Sequence, residues 1–147
     1  MLGLTLIAGA AFLARGVFGE GVHFLNCGSF AGAAWPHTYI SIVAYCANDV
    51  DCSDVLYTIP LDDACIMSSS TSPDFHQWAT GTDQSCTFPS SGVTFSWNIP
   101  TEIGSLPVYS SAGTGSNGFK TFAGFKDDGL SGAKYDLHSC SKRYYYI

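Results

Sequence analysis

The chain has 147 residues, of which 46% are hydrophobic and 12% are charged, and its formal net charge at pH 7 is −6. This length suffices for one domain with a hydrophobic core of its own. The negative charge argues against nucleic acid as a partner, because phosphate binding needs a concentrated cationic face.

The N-terminal stretch 2–13 is uncharged and apolar, as in the central region of a signal peptide. It is shorter than the ~20 apolar residues that cross a bilayer, and Gly19 suits cleavage by signal peptidase. We therefore expect residues 1–19 to be a signal peptide and residues 20–147 to form a single secreted domain. That domain would be extracellular or cell-wall associated, without membrane contact after cleavage. A retained anchor is the alternative, because no basic side chain precedes Arg15.

Six cysteines follow this stretch, and none of them forms a Cys-x-x-Cys pair, which argues against zinc-ribbon and thioredoxin-like sites. Disulfides are the expected state, and their pairing stays open. Cys46 and Cys52 either close a short loop directly or each tie it to a different strand. The pair that includes Cys140 must close a long loop, which contributes about 4 kcal/mol in the chain-entropy picture. The cysteines expected in disulfides are Cys27, Cys46, Cys52, Cys65, Cys86 and Cys140.

Alternation of apolar and polar residues is far more frequent along the chain than helical periodicity. Residues 38–46 are largely apolar or aromatic on both faces, which predicts a central strand covered on two sides. Residues 93–99 alternate without a break and predict a half-buried strand with Phe95 and Trp97 facing inward. Weaker strands are predicted at 22–27, 55–59, 106–110, 119–125, 133–138 and 142–147.

The connecting segments carry turn residues. Asp127-Asp128-Gly129 predicts a turn between two strands. The stretch 110–118 contains a Gly-x-Gly-x-x-Gly spacing, but strand-like sequence follows it, so we predict a flexible loop rather than a phosphate-binding turn. The hydroxyl-rich stretch 68–73 is also predicted to be a loop. The sequence therefore predicts an all-β fold, a small disulfide-stabilised sandwich or barrel of about eight short antiparallel strands.

A catalytic hypothesis comes from the histidines. Residues 35–39, Trp-Pro-His-Thr-Tyr, resemble the Tyr-Pro-His-x-Tyr stretch of small secreted guanyl-specific ribonucleases of fungi. This resemblance implies that His37 is a general base or its partner and that His138 is the general acid. Those enzymes carry a Glu and an Arg between the two histidines, whereas this chain has Glu102 there and no arginine. A small secreted hydrolase of the ribonuclease type is thus an alternative function.

Oxygen-bearing side chains are concentrated just after the predicted central strand, and they are the ligand type that Ca²⁺ prefers. Their spacing lacks the central glycine and distal glutamate of an EF-hand loop. A solvated acidic turn is the favoured interpretation, a metal site is a weaker alternative, and no cofactor is expected. The residues concerned are Asn48, Asp49, Asp51 and Asp54.

Aromatic residues are the candidate ligand contacts. Trp35 and Trp78 lie among polar neighbours in predicted loops, where exposed rings would stack on a sugar while nearby polar groups bind its hydroxyls. Tyr144 and Tyr146 would share one face of a strand, with Tyr145 on the other, and form a second candidate surface. The competing interpretation is that these rings cover a small core.

Several longer stretches resemble small cysteine-containing secreted proteins of filamentous fungi, especially mushroom-forming species. They are residues 21–27, 41–49 and 92–99, and the Lys-Asp-Asp-Gly turn before Cys140. The resemblance implies an extracellular or wall-associated setting and carries no activity with it. We expect an effector-like or carbohydrate-contacting protein that binds an extracellular glycan, or a host or wall protein, without catalysis. A passive structural cell-wall protein is a further alternative, and the oligomeric state is left open.

Overall fold

A computed structural model describes residues 19–29, 37–52, 57–130 and 132–147. Within these ranges the chain is nearly all-β, which confirms the predicted fold class. Two short helical turns, α1 (Asp49–Cys52) and the 3-10 turn η1 (Thr101–Ser105), complete the regular structure. No helix in the described part of the chain is long and apolar enough to cross a membrane. The strands are β1 (Gly21–Ser29), β2 (Tyr39–Cys46), β3 (Ala64–Ser70), β4 (Gln84–Thr87), β5 (Thr94–Trp97), β6 (Ser111–Ser116), β7 (Thr121–Lys126), β8 (Gly132–Tyr135) and β9 (His138–Tyr146).

Eight of these strands follow one antiparallel path, β3-β2-β1-β9-β7-β6-β5-β4, and β8 pairs with β9 off this path. Cys65 of β3 and Cys86 of β4 form a disulfide. Because β3 and β4 are the two ends of the path, this bond joins its terminal strands. The sheet therefore nearly closes into a barrel.

One extra residue in β9, a β-bulge, separates the half of the strand that pairs with β8 from the half that pairs with β7. Phe24 of β1 pairs with Tyr144. The next β1 residue, Leu25, pairs with Lys142, which leaves Arg143 without a counterpart in β1. An extra residue reverses the alternation of side chains between the two faces of a strand. The half of β9 before Arg143 pairs with β8, and the half after it pairs with β7 and faces the barrel interior.

Two hydrophobic cores lie on opposite faces of β1 and β2. The interior core fills the barrel, and the outer core is covered by β8 and by residues 57–59. This confirms that β2 is a central strand covered on both sides. The buried residues of the interior core are Val22, Phe24, Val43, Cys65, Trp78, Cys86, Phe88, Phe95, Trp97, Ile99, Ile103, Ala112, Phe122, Tyr144 and Tyr146. Those of the outer core are Leu25, Cys27, Ile40, Ile42, Ala44, Ile59, Ala64, Ala133, Tyr135 and Cys140.

Two glycines allow large rings to lie against the barrel wall. A Cβ atom at Gly115 of β6 would collide with Phe95, and one at Gly124 of β7 would collide with Tyr146. Tyr146 is completely buried, and its hydroxyl donates a hydrogen bond to the Ala112 carbonyl at 3.2 Å. Burial raises the pKa of Tyr146, so its hydroxyl remains a donor.

All six cysteines are paired, as expected from the sequence. The short loop after β2 is closed directly by a disulfide between its own two cysteines, Cys46 and Cys52. The disulfide with the longest sequence separation, 113 residues, joins β1 to β9. Three disulfides are typical of proteins from oxidising, extracellular compartments. The pairs are Cys27–Cys140, Cys46–Cys52 and Cys65–Cys86.

Two segments that were predicted to be loops are strands. Residues 111–116 form β6, and residues 68–70 belong to β3, whereas the strand predicted at 106–110 is absent from that described segment. Small and hydroxyl residues give almost no apolar alternation, so these strands carry little sequence signal. They form because their neighbours in the sheet supply hydrogen bonds, and because Gly115 leaves room for a ring.

Two further strand predictions need correction. The strand expected at 133–138 ends at Tyr135, and β9 begins at His138 and runs through Cys140, so this cysteine lies within a strand rather than between two. Part of the segment predicted at 55–59 lies outside the described residues. Within the rest of that segment, Thr58 makes an isolated parallel bridge with Lys134.

Candidate functional site

The antiparallel order brings the starts of β1, β3, β5 and β7 to the same end of the barrel as the ends of β2, β4, β6 and β9. Val22, near the start of β1, pairs with Tyr45 near the end of β2 and with Tyr146 at the end of β9. We call this end the mouth and the opposite one the closed end. The two ends differ in what fills them.

A cavity of about 230 Å³ lies at the mouth. It holds about eight water volumes of ~30 Å³ and is smaller than the ~300 Å³ at which sites for drug-sized ligands begin. It therefore fits a single ring or the end of a chain. Its walls are formed by Val22, Tyr45, Phe88, Val93, Phe95 and Phe122. Polar side chains at its rim are Glu20, Asp63, Ser90, Ser91 and Asn117.

The carboxylate of Glu20 is held at the rim by two partners. The Tyr45 hydroxyl donates a hydrogen bond to Oε2 at 2.7 Å, and Nζ of Lys120 lies 3.0 Å from Oε1. The hydrogen bond from Tyr45 is the main cause of a lowered pKa at Glu20, and Lys120 lowers it further against the effect of burial. Burial, followed by the bond to Glu20, raises the pKa of Tyr45 to about 12. At neutral pH the pair is thus a carboxylate with a phenol donor.

Asp63, directly before β3, is the second carboxylate at the rim, and the hairpin between β4 and β5 holds it. The hydroxyl of Ser90 donates to Oδ1 of Asp63 at 3.2 Å, and the Ser90 amide donates to the Asp62 carbonyl at 3.1 Å. The Phe88 amide donates to the Val93 carbonyl at 2.9 Å and closes the hairpin. Asp63 is therefore tied to a hairpin whose own backbone is hydrogen-bonded.

The turn between β6 and β7 contributes Asn117 to the cavity lining and displays an exposed phenylalanine. Oδ1 of Asn117 accepts hydrogen bonds from the amides of Phe119 and Lys120 at 3.0 and 2.9 Å. Gly118 has a φ of 84°, which a glycine adopts without strain. These contacts hold the turn so that Phe119, 86% exposed, projects into solvent. Nζ of Lys120 lies 4.3 Å from the ring centroid of Phe122 in the cavity wall.

The closed end is filled by residues 71–80. Trp78 is buried in the interior core, and its Nε1 donates a hydrogen bond to Oδ1 of Asn26 at 3.0 Å. The amide of His76 donates to the Ser41 hydroxyl at 2.9 Å, and that hydroxyl donates to the same Asn26 oxygen at 3.1 Å. The indole N–H of Trp78 and the backbone amide of His76, which this segment brings into the barrel, therefore both have hydrogen-bond partners.

An open polar groove of about 520 Å³ runs beside this segment, with His76 and Arg143 among its lining residues. Trp78 and Tyr144, two of the predicted ligand contacts, also line it. Trp78 is only 5% exposed, however, and Tyr144 only 8%. The expectation that Trp78 forms an exposed platform is therefore wrong, because its ring is part of the core.

The predicted alternation of the C-terminal tyrosines is confirmed. Tyr144 and Tyr146 face the interior core, whereas the ring of Tyr145 stacks against Phe125 at 5.4 Å on the other face. The buried state of Tyr144 and Tyr146 agrees with the interpretation that these rings cover the core. Trp35, the fourth predicted ligand contact, lies outside the described residues.

The two histidines of the hydrolase hypothesis, His37 and His138, lie in segments that contact each other in the fold. His138 is buried in β9, its Nε2 lies 2.6 Å from the Thr38 hydroxyl, and its Nδ1 lies 3.3 Å from a backbone carbonyl. Thr38 directly follows His37 in the chain. Both ring nitrogens of His138 are thus engaged within the protein, as in a structural role. Glu102 is exposed on η1, which packs into the interior core.

The proposed Ca²⁺ ligands are only partly described. Oδ1 of Asp49 lies 2.8 Å from Nε2 of the buried His23. This carboxylate is therefore not the fully solvated side chain that an acidic turn implies. The side chain of Asp51 and all of Asp54 lie outside the described residues. Asn48 immediately precedes α1, and its amide oxygen is buried.

The sequence did not indicate Glu20 or Tyr45 as mouth residues, because Glu20 directly follows the expected cleavage site and Tyr45 was part of a predicted strand face. Phe119 was predicted to belong to a strand at 119–125, whereas it lies in the turn before β7. A scan of protein-family models finds no match to this chain, and neither do searches of curated proteins and of solved structures. The geometry of the mouth is therefore the basis for assigning a function.

Proposed function

We propose that the protein acts by extracellular binding and that its barrel mouth binds a neutral sugar unit at the end of a glycan. The observation that carries this proposal is the combination of a preformed apolar cavity, two held carboxylates and an exposed aromatic ring. Small-molecule sites consist largely of apolar walls with a few placed polar groups, and the mouths of β-barrels are common positions for them.

The chemistry of a sugar ring matches each of these parts. Its C–H face packs against an aromatic ring, here Phe119 at the rim or Phe122 in the wall. Its hydroxyls donate hydrogen bonds to carboxylates, and such charge-assisted bonds are stronger than neutral ones. Glu20 and Asp63 supply these acceptors at the rim.

Charge and size narrow the ligand class. A net charge of −6 and two rim carboxylates disfavour anionic ligands. The cavity of about 230 Å³ admits one ring at a time. The proposal is therefore a neutral glycan bound through its terminal unit, with further units lying along the rim near Phe119.

A glycan array of neutral cell-wall oligosaccharides tests the proposal, followed by titration of the retained glycan. Val93→Trp would fill the cavity, because Val93 is half-buried in its wall. Thr94→Trp is the matched control, since the neighbouring side chain is exposed. We expect Val93→Trp to weaken binding at least tenfold and Thr94→Trp to leave it unchanged.

Circular dichroism would establish that both variants are folded before their affinities are compared. Failure of the wild-type protein to retain any glycan would reject carbohydrate binding. Unchanged affinity in folded Val93→Trp would reject the mouth as the site.

A further inference from the structure

A histidine and a disulfide meet on the outer face of the sheet. His23 of β1 pairs with Ala44 of β2, so its side chain lies diagonally beside that of Cys46, two residues further on the same face. Cys46 is joined to Cys52 at the end of α1. One imidazole nitrogen and the two sulfur atoms all lie within 4.8 Å of one another.

The two ring nitrogens of His23 have different surroundings. Nε2 lies 2.8 Å from Oδ1 of Asp49. Gly21 makes room for that carboxylate, because a Cβ atom there would overlap it. Nδ1 is buried and has no hydrogen-bond partner among the described residues, in a side chain that is 4% exposed. Burying a polar atom without a partner is costly, so this nitrogen requires an explanation.

A metal ion bound at Nδ1 would account for the surroundings of both nitrogens. A histidine that binds a metal through one nitrogen usually gives its other N–H to a carboxylate, as Asp49 is placed to accept. Two thiolates and an imidazole are a ligand set that favours Zn²⁺. We propose that His23, Cys46 and Cys52 bind a thiophilic divalent cation such as Zn²⁺ when the Cys46–Cys52 disulfide is reduced. The disulfide and the metal are then alternative states of one site.

The change of state requires an external dithiol reductant. The dithiol gives two electrons and two protons and becomes a disulfide, while the Cys46–Cys52 bond breaks and each sulfur becomes a thiol. On metal binding, both thiol protons leave to solvent as the two metal–sulfur bonds form. The two Cα atoms are 6.1 Å apart. This leaves room for the sulfurs to separate to the roughly 3.8 Å that two Zn–S bonds of ~2.3 Å need at a tetrahedral angle.

Co²⁺ is the spectroscopic probe for this site, because its bonds to thiolates give charge-transfer absorption. The full protein is compared in its oxidised form and after dithiol treatment, with free thiols counted by alkylation and mass spectrometry. We expect the reduced protein to gain the thiolate–Co²⁺ band at one ion per chain and to lose it when Zn²⁺ is added. The oxidised protein should show no such band.

Variants separate a built site from a pair of reactive thiols. His23→Ala should weaken Co²⁺ binding at least tenfold, and Asp49→Asn should weaken it roughly 10- to 100-fold. Cys65→Ser/Cys86→Ser removes a disulfide elsewhere and should keep the band. Equal affinity in the wild type and in His23→Ala would overturn the proposal.

Reduction also opens the other disulfides, so folding is measured in parallel. Zn²⁺ should raise the thermal unfolding midpoint of the reduced wild type but not that of reduced His23→Ala, because an ion that binds only the folded form stabilises it. A reduced wild type without a thiolate–Co²⁺ band, or one that stays unfolded with Zn²⁺ present, would also overturn the proposal.

Discussion

The two ends of the barrel are made by the same strands, yet one is filled and the other holds a cavity. At the closed end, residues 71–80 fold into the barrel and bury Trp78. At the mouth, the links between β4 and β5 and between β6 and β7 are short hairpins that turn at the rim. The connection between β2 and β3 also lies at the mouth and is longer than the one that supplies the plug, but its residues 57–59 pack against the outer core. The two ends therefore differ in whether a connection enters the barrel interior.

Removing the plug should have the largest effect. Trp78→Ala leaves a cavity in the interior core and deprives Asn26 of a hydrogen bond. We expect a loss of about 3–5 kcal/mol in the free energy of unfolding, measured with urea. Trp78→Phe, which keeps a ring but no N–H donor, should lose less. A loss below about 1 kcal/mol in Trp78→Ala would show that the two ends do not differ in this way.

The wall between the two ends is the next most sensitive region. Gly115→Ala places a methyl group against Phe95, whose ring belongs both to the interior core and to the cavity wall. Such overpacking should cost about 1–3 kcal/mol in a urea unfolding experiment. Gly104→Ala is the control, because no atom lies within 4 Å of its new Cβ. Equal stabilities of the two variants would contradict the packing argument.

The mouth should contribute a pH-dependent part of stability. The pKa of Glu20 is lowered from its ordinary value of 4.5 in the folded state, so the unfolded chain protonates first as pH falls. The stabilisation is therefore complete above that ordinary value and is lost as pH falls through the lower folded pKa. Glu20→Gln should be less stable than the wild type at pH 7, and the difference should shrink towards pH 3. A difference that does not vary with pH would contradict this assignment.

The smallest effect on stability is expected at the rim. Phe119→Ala removes a ring that is 86% exposed, so the free energy of unfolding should change by less than about 0.5 kcal/mol. If a glycan stacks on this ring, affinity should fall by roughly two- to tenfold, as for a contact of 0.5–1.5 kcal/mol. Leu137→Ala, at an exposed position towards the closed end, should change neither quantity. Titration of the glycan retained on the array measures the affinity.

The sequence predicts those parts of the fold that have local alternation. β2 and β5 were located because apolar side chains recur along them, and Phe95 and Trp97 are buried as expected. β6 was missed because Ser, Gly and Thr residues carry no such signal. Trp78 was expected to be exposed because its immediate neighbours are polar. Its partner Asn26 lies 52 residues away, and only the folded chain brings the two together.

The candidate sites were harder to predict than the fold. The mouth combines residues from strand ends and connections that lie far apart in the sequence, and its cavity exists only once the sheet has closed. His23 did carry a local signal, since it is a polar residue in an otherwise largely apolar strand. The sequence could not show, however, that α1 would bring Asp49 and Cys52 to it.

The Cys65–Cys86 bond has a consequence for behaviour at high concentration. A sheet with two terminal strands presents two rows of unpaired backbone groups, and such edges invite pairing with other chains. By holding β3 against β4, this bond makes each edge shield the other. Opening it would uncover both edges at once. We therefore expect this covalent link to keep the protein monodisperse in solution as well as folded.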